Sequence, residues 1–431
     1  MQGQTLGRPL PAATLSADVA CPIHLLHASR TVTASIPAMI HLSEKGRHFL
    51  QCVSDLGPTI DSLANEIEDR RDLPASLFAA LRERGLFRLV QPTEYGGAEL
   101  DPPSLVQVIE AVARHDASTA WCLGQTNICA LTSAYLEPPV VKEIFGPDTG
   151  ILAWGPGPGQ AEAVHGGFRV NGNFDFASGS RLASWLGCHV PVIEPDGTKR
   201  RGPNGKPLIH TMFFPKNRVQ VRDTWQVMGL RGTGSDSYTV TDLFIPTAFA
   251  IARATDARPR VSGKLYAFTP STLYSSSFAG IALGIARSVM EAFVQDVRDT
   301  TPRGASRTRG ENHVMQSVVG QNEARLRAAR MFLLGSVSEI WATVQQTGAL
   351  SPDQLMTIRL ASTWAIQSAK DAVASLYAAA GALAIFSSRP FERRFRDIHT
   401  VTQQIQGHPA HFETVGQILL GREPDRPMFT F

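Results

Sequence analysis

The chain has 431 residues, a formal net charge of +3, 43% hydrophobic residues and 18% charged residues. This composition is ordinary for a globular protein, and length scaling suggests about two to three domains around a large buried core. Because the small positive excess is not gathered into a run of like charges, no nucleic-acid partner is expected.

The cysteines and the apolar segments indicate a compartment. The cysteines follow no CxxC or metal-ligand spacing, and such a pattern is typical of reduced thiols in a cytoplasmic protein with no bound metal. No stretch reaches the ~18 apolar residues that span a bilayer, so no membrane partner is expected. Residues 1–42 are rich in Ser, Thr, Ala and His and are expected to be a poorly ordered extension. The cysteines are Cys21, Cys52, Cys122, Cys129 and Cys188.

The spacing of apolar residues predicts three regions in chain order. Residues 43–149 have helical periodicity, as in the leucines at 73, 77, 81 and 86, and form an N-terminal helical domain. In residues 150–262, Gly and Pro separate short alternating runs, which predicts a middle β-barrel or sandwich domain with a hairpin turn at Asn171-Gly172. Residues 263–431 contain three helical segments longer than 20 residues and a shorter last one. They predict a C-terminal four-helix bundle, so the fold class is α+β, multi-domain and mainly α.

Several common catalytic motifs are absent from the sequence. The segment GPGPGQ at 155–160 is not GxGxxG, because Gln160 stands where the last glycine belongs and two prolines interrupt it. There is also no GxxxxGK[ST], HExxH or GxSxG. Rossmann-type dinucleotide binding, nucleotide hydrolysis by a P-loop, zinc proteolysis and α/β-hydrolase chemistry therefore lack their usual signatures.

Four segments between 43 and 421 occur in an order that resembles the acyl-CoA dehydrogenase superfamily. They are VQPTEYGGAELDPPSLVQVIEAVARHDASTAW, GNFDFASGSRLASW, DTWQVMGLRGTGSDSYTVTDLFIP and ERRFRDIH. Each segment alone is weakly specific, but together they are most similar to the branch of flavin-dependent monooxygenases, the oxygenase components of two-component systems that hydroxylate aromatic compounds.

The resemblance implies a flavin site at the segment FDFASG. It places Phe176, Ser178 and Gly179 beside the polar edge of the isoalloxazine ring, with Ser178 as a catalytic residue that tunes the N5 proton. By the same resemblance, Trp121 and Trp154 line the flavin pocket. The residue types suit a planar ring, which needs aromatic walls and a few fixed donors. Tryptophans that only anchor a core, and a serine in an ordinary turn, remain alternatives for these positions.

Two positions separate oxygenase from dehydrogenase chemistry. In many family dehydrogenases a carboxylate base stands nine residues before the Asp of the RD pair, and here that position is Ser388, which cannot act as the base. A segment that helps to hold the adenosine half of FAD matches residues 378–382, where Ala378 and Ala382 replace its expected glutamine and second glycine. This difference favours FMN over FAD. Arg307 is a candidate to contact a flavin phosphate across a subunit boundary, although a solvated loop arginine is the favoured alternative.

The resemblance also implies two histidines that this chain lacks. Gln404 and Asn127 stand at or near those positions, and amides can orient a substrate but cannot take its proton. We retain both as catalytic candidates. The substrate could need no deprotonation, His399 or His408 could replace the missing base, or the fold could serve another flavin reaction.

The expected function is that of a flavin-dependent monooxygenase that acts on a small organic substrate. By resemblance it uses O2 and reduced flavin from a separate reductase, through a C4a-hydroperoxide, and it assembles as a homotetramer. Thioester oxidation by a dehydrogenase with a relocated base, and a non-catalytic binding protein on the same fold, are the alternatives.

Overall fold

The computed structural model describes residues 40–146, 150–203, 205–253 and 258–425. The predicted extension at 1–42 lies outside these residues except for its last three. The described residues form one compact unit, so the three predicted domain boundaries remain a prediction.

The N-terminal region is helical, as predicted. Three of its five helices begin at side chains that satisfy free backbone N–H groups. Ser43 accepts a bond from Gly46 N, Asp101 from Ser104 N and Asp116 from Thr119 N. The helices are α1 (Glu44–Arg70), α2 (Ala75–Glu83), α3 (Pro102–His115), α4 (Ala117–Ala130) and α5 (Pro138–Phe145).

The middle region is a β structure, as predicted, and its strands form one eight-stranded sheet. The order is β6-β7-β3-β2-β4-β5-β8, and β1 pairs in parallel with β4 beside this path. The strands are β1 (Leu152–Trp154), β2 (Gly159–Val164), β3 (Gly167–Ala177), β4 (Trp185–Ile193), β5 (Ile209–Pro215), β6 (Gln220–Arg222), β7 (Asp236–Pro246) and β8 (Ala250–Ala252).

The hairpin turn predicted at Asn171-Gly172 is wrong. Both residues lie inside β3, where the pairing with β7 shifts register between Val170 and Gly172. The glycine is needed because a Cβ there would lie 2.7 Å from the ring of Phe174. The Asn-Gly pair therefore lies at a β-bulge, where glycine is favoured as it is in hairpin turns.

The C-terminal region is helical, with long α6 (Pro270–Asp299), α7 (His313–Thr347) and α8 (Pro352–Ala380). The predicted fourth helix is two short ones, α9 (Phe391–Val401) and α10 (Ala410–Leu419), separated by a 3-10 turn at Ile405–Gly407. Pro409 explains the extended backbone of His408 directly before α10, because the residue before a proline is disfavoured in the α conformation.

Helix α6 is more apolar than the sequence analysis recognised, which expected no segment able to span a bilayer. By length and composition it could span a membrane, with a mean hydropathy of 1.4 over its most apolar window. However, 78% of that window is buried inside the protein, where α6 packs against α3 and α8. Its apolar composition is that of a central core helix.

The segment 155–159 lies directly against strand β3. Asp175 N donates to Pro156 O at 2.9 Å, and Asn173 N donates to Pro158 O at 3.0 Å. A Cβ at Gly155 would lie 1.8 Å from Asp175 O, and one at Gly157 would lie 2.0 Å from Asn173 O. These two glycines are therefore required by close backbone packing.

A buried carboxylate joins the middle region to α9. Asp397 Oδ1 accepts a bond from Leu230 N at 2.6 Å, and Leu230 has a left-handed backbone with φ of 52°. Beside it, a Cβ at Gly229 would lie 2.3 Å from Arg396 O. Asp397 thus fixes the start of the 230–235 loop, which forms part of the candidate site described below.

We expect Gly155→Ala to lower the free energy of unfolding by about 1–3 kcal/mol, the range for overpacking, because the added Cβ would clash with the backbone oxygen of Asp175. Gly320→Ala is the matched control. It lies in α7 with open space around its Cβ, and alanine there should be neutral or stabilising. Thermal unfolding of the two variants tests this, and equal melting temperatures would contradict the packing argument.

We expect Asp397 to make stability depend on pH. Burial raises its pKa from 3.8 to about 7, so the folded protein binds a proton that the unfolded chain does not between these values. Its contribution to stability therefore falls as pH rises through this window, by up to ~1.4 kcal/mol per unit. Asp397→Asn should flatten the dependence while its amide oxygen still accepts from Leu230 N.

Melting curves between pH 4.5 and 8 measure this effect. Asp69→Asn, at an exposed aspartate, makes the same change in formal charge and should leave the wild-type slope unaltered. Parallel curves for wild type and Asp397→Asn would show that Asp397 does not titrate in this range.

Candidate active site

Ser178 lies at the turn that follows β3, and its hydroxyl is turned into the protein. The residue is 6% exposed. Trp121 Nε1 donates to Ser178 Oγ at 2.9 Å, and Ser178 Oγ lies 2.6 Å from Ser235 Oγ. The serine therefore joins α4 to the 230–235 loop.

The hydroxyl bonds continue in one direction along this loop. Thr233 Oγ1 donates to Leu230 O at 2.8 Å and lies 2.7 Å from Ser235 Oγ. Because each hydroxyl has a single proton, Ser235 donates to Thr233 and Ser178 donates to Ser235. We call Trp121, Ser178, Ser235, Thr233 and Leu230 the hydroxyl chain. Every donor in it has an acceptor.

Phe176 exposes an aromatic ring beside this corner. It is 62% exposed, its φ is 58°, and its ring meets Trp225 edge to face at 6.1 Å. Met228, also exposed, lies on the same loop segment as Trp225. A phenylalanine held in a left-handed conformation without core packing is strained, and such strain is typical of binding sites. This apolar surface and the adjacent polar corner fit a planar ring with one polar edge.

The structure explains why residue 179 is a glycine. Its φ is 76°, its N donates to Thr233 O at 3.0 Å, and a Cβ would lie 2.9 Å from Thr126 Cγ2. The glycine lets the turn approach α4 closely. Its predicted contact with a cofactor remains a prediction.

Trp121 lies on α4 and packs against α6, and Trp154 lies at the end of β1, where it contacts α4. Trp121 stacks on Phe278 with ring centroids 4.0 Å apart, and Phe278 lies 5.5 Å from Tyr274. One turn after Trp121, Gln125 Nε2 donates to Trp154 O at 3.4 Å. The structure therefore brings Trp121, Trp154 and Ser178 into one region.

Asn127 is placed away from any substrate role by its contacts. It is fully buried, and its Oδ1 accepts from Leu89 N at 2.7 Å. Its Nδ2 donates to Leu86 O at 2.8 Å and to Leu123 O at 2.9 Å. Because the backbone occupies both ends of the amide, these contacts support a structural clamp and give no support to the expected catalytic role.

Gln404 also bonds to the backbone. Its Oε1 accepts from Gln406 N at 2.6 Å and caps the turn at Ile405–Gly407. The buried side chain of Arg359 fixes this turn by donating to Gln406 Oε1. Arg359 also donates to Ser271 Oγ at 2.7 Å. The described contacts place Gln404 in a turn that rests on α6 and α8, and its catalytic role remains a prediction.

The contacts of the two alternative histidines differ, since His408 is bonded to backbone and His399 has one ring nitrogen without a partner among the described residues. His408 Nδ1 accepts from Ala410 N at 3.1 Å and so caps α10. His399 packs on Phe395 with ring centroids 4.3 Å apart, and burial together with the charge of Lys370 lowers its pKa. His399 Nε2 is buried without a hydrogen-bond partner among the described residues.

Arg307 is exposed on the loop before α7 and lines a cavity of about 420 Å³. Two residues later, Arg309 pairs with Asp296 at 2.6 Å and donates to Ala379 O at 2.6 Å. The loop therefore lies against the end of α8 that carries Ala378. The expected contact between Arg307 and a flavin phosphate remains a prediction.

Sequence reasoning missed the partners of Ser178 and the wall formed by α6. Ser235 and Thr233 stand in the segment GLRGTGSDS, where the run of small hydroxyl residues was an available signal. Tyr274 and Phe278 are four residues apart in α6, the spacing of one helix face.

The sequence matches two domain families of known proteins. Residues 56–136 match "Acyl-CoA dehydrogenase, N-terminal domain", and residues 276–408 match "Acyl-CoA dehydrogenase, C-terminal domain". These segments contain α4 and α6, the two helices that form the aromatic walls of the site.

Similar proteins cover almost the whole chain. It is 26% identical to the indole-3-acetate monooxygenase of Pseudomonas putida, over 85% of this chain and 95% of that protein. It is also 26% identical to the flavin-dependent monooxygenase oxygenase subunit HsaA of Rhodococcus jostii, over 81% and 92%. The crystal structure of 3-HSA hydroxylase from Rhodococcus sp. RHA1 superposes with a TM-score of 0.81 at 25% identity, covering 89% of this chain and 99% of that chain. Residues 56–136 and 276–408 are therefore acyl-CoA dehydrogenase domains, and the proteins that are similar over most of the chain are flavin-dependent monooxygenases.

Proposed function

We propose that this chain is the oxygenase component of a two-component system, which takes reduced flavin from a separate reductase and transfers one oxygen atom of O2 to a small organic substrate. The observation that carries the proposal is the corner after β3. There the strained, exposed Phe176 adjoins the buried Ser178, which α4 and the 230–235 loop hold in place. Relatives of similar length are named as such oxygenases.

The side chains of the site support oxygenation over thioester oxidation. Removal of an α-proton needs a carboxylate base. Two carboxylates near the site are occupied, since Asp116 caps α4 and Asp397 accepts from Leu230 N. Ser388, at the usual position of the base, is exposed and cannot replace it.

Each part of this site has a distinct role in the proposed reaction. When bound, reduced flavin supplies the electrons that activate O2. Phe176 and Trp225 provide an apolar surface for its ring. Ser178 donates its hydroxyl proton to Ser235, so at the polar edge it can offer only its oxygen as an acceptor. Trp121 and Phe278 exclude water from the adjoining wall, which prevents unproductive loss of the activated oxygen.

Reduced FMN is the favoured cofactor, with FAD as the alternative. Ala378 and Ala382 offer no side-chain donor at the end of α8, which weakens the case for holding an adenosine group there. Arg307 is placed on the neighbouring loop, where a guanidinium suits a phosphate. Both features favour FMN, which has a phosphate but no adenosine group.

We also propose a homotetramer in the cytoplasm. Apolar side chains are exposed next to the end of α8, at Leu383, Ile385 and Phe386, and exposed apolar clusters are typical of protein contacts. The four described cysteines are free and buried, which suits a reducing compartment. Size determination by light scattering tests the tetramer.

Anaerobic titration tests the proposed function directly. Reduced FMN and reduced FAD should quench tryptophan emission, with reduced FMN binding more tightly. On admission of O2, the bound flavin should form less hydrogen peroxide than the same amount of free reduced flavin forms in the absence of protein. A preparation that retains yellow FAD and is bleached by an acyl-CoA would instead identify a dehydrogenase. A chain that binds neither flavin would be a binding protein.

We expect Ser178→Ala to act on both stability and coupling. It leaves the buried Trp121 N–H without its acceptor, which costs about 1–3 kcal/mol, and it removes the hydroxyl from the polar edge. The variant should melt at a lower temperature and should convert more of the consumed O2 into hydrogen peroxide. Ser277→Ala is the control, because Ser277 Oγ is buried without a partner among the described residues.

Peroxide yield per O2 consumed and the melting temperature are the two measurements. Unchanged peroxide yield in Ser178→Ala, with the expected loss of stability, would show that the serine is only a structural link. Unchanged values of both would contradict the hydroxyl chain itself.

A further inference from the structure

A cavity of about 260 Å³ lies between α2, the turn that follows β3 and the end of β5. Phe78 and Phe87 form its apolar side, with ring centroids 5.3 Å apart. Because a water molecule occupies about 30 Å³, the cavity has room for one small anion together with a few waters. None of the described residues that line it is acidic, whereas four are cationic, namely Arg82, Arg88, Arg181 and Lys216. We call it the basic cavity.

Arg88 is half-buried, and its hydrogen bonds go to backbone carbonyls. Its Nη2 donates to Phe145 O at 2.9 Å and to Gly146 O at 3.0 Å, and its Nη1 donates to Tyr95 O at 3.4 Å. These three bonds leave two of the five N–H donors of the guanidinium. No described carboxylate forms an ion pair with Arg88, and burial together with the charge of Arg82 lowers its pKa. Arg88 is therefore a fixed cation with donors to spare.

Lys216 lines the same cavity and holds the turn that follows β3. Its Nζ donates to Ser180 O and to Arg181 O, both at 3.0 Å. These two bonds leave one of the three N–H donors of the ammonium group. Asp72 attracts this ammonium, but no described carboxylate forms an ion pair with it. Because Ser180 stands two residues after Ser178, the same lysine also fixes the turn that carries the candidate catalytic serine.

Arg181 differs from these two cations because it is already balanced. Its Nε lies 2.8 Å from Asp236 Oδ2, and its Nη2 lies 3.1 Å from Asp223 Oδ1. The charges of Arg88 and Lys216 therefore remain to be compensated at the cavity. A half-buried cation without a counter-ion is unfavourable, and a bound anion removes this penalty.

We propose that the basic cavity binds a phosphate group. A phosphate dianion balances the two charges of Arg88 and Lys216, and its oxygens can accept from the N–H donors that these side chains retain. An arginine fork and a lysine ammonium are the side chains that recognise phosphate in many proteins. The site goes beyond the proposed function and does not rest on it, because none of the side chains assigned to the flavin lines the cavity.

Binding of phosphate by the flavin-free full-length chain tests the proposal. Inorganic phosphate and phenyl phosphate are the probes, measured by calorimetry and phosphorus NMR in chloride buffer of constant ionic strength. Wild type should bind at least one of them with a Kd of about 1 mM or below. Tighter binding of phenyl phosphate would identify a phosphate ester, whose apolar part contacts Phe78 and Phe87. Equal affinity would identify free phosphate.

Two substitutions locate the bound phosphate. Arg88→Met should weaken binding about tenfold or more, which is the effect of losing one charge-assisted hydrogen bond. Arg82→Met should weaken it about threefold, because Arg82 is exposed and water screens its charge. The second substitution breaks none of the backbone contacts of Arg88, so it keeps the test valid if Arg88→Met does not fold. A melting curve for each variant shows whether it folds.

Arg84→Met is the matched control. Arg84 ends α2 two residues after Arg82 and does not line the cavity, so its removal should leave phosphate affinity unchanged. Three results would each overturn the proposal. They are no phosphate binding by wild type, wild-type affinity in the folded Arg82→Met and Arg88→Met variants, and an equal loss in Arg84→Met and Arg82→Met.

One further measurement separates this site from the flavin site. One equivalent of reduced FMN, added without O2, should leave phosphate binding unchanged. Loss of phosphate binding would show that the flavin occupies the basic cavity and would overturn a separate site. A chain that binds phosphate but whose tryptophan emission is not quenched by reduced flavin would refute the proposed function and keep the phosphate site.

Discussion

The hydrogen bond between Trp121 Nε1 and Ser178 Oγ is the constraint on which the site depends. It joins α4 to the end of β3, and the hydroxyl chain carries the connection through Ser235 and Thr233 to the carbonyl of Leu230. All of these groups are buried, so each bond avoids a desolvated, unpaired polar group. The chain thus fixes the relative positions of a helix, a strand end and a loop that are far apart in sequence.

This constraint also explains how the structure maintains strained backbone at the site. Phe176 and Leu230 both have positive φ, which side-chain-bearing residues seldom adopt. Leu230 is held at one end by Asp397 and at the other by Thr233. Phe176 stands two residues before Ser178, whose bonds fix the strand end. Strain persists where surrounding bonds determine the backbone, and here it leaves the ring of Phe176 exposed to a ligand.

The sequence predicted the order of helical and β regions because apolar periodicity reports burial directly. It also predicted that Trp121, Trp154 and Ser178 belong to one region, through motifs whose family resemblance is confirmed. It could not show that Asn127 is a clamp, because two of the three backbone groups bonded to its amide are 41 and 38 residues away in the chain. The hairpin turn at Asn171-Gly172 was predicted wrongly for a related reason. The same residue types favour a turn and a β-bulge, and only the pairing of β3 with β7 shows which of the two forms.

The positions of the amides and of His189 determine where a substrate proton could go. Asn127 has both ends of its amide bonded to backbone, and the oxygen of Gln404 caps a turn, so neither replaces a histidine base. His189 is different, because desolvation keeps its imidazole neutral and one ring nitrogen is fixed by Thr211 Oγ1 at 2.9 Å. A neutral imidazole can accept a hydrogen bond, but its low pKa makes it a poor store for a proton. The described residues around Trp154, which include His189, therefore suit a substrate that is already nucleophilic at the reacting atom when it binds.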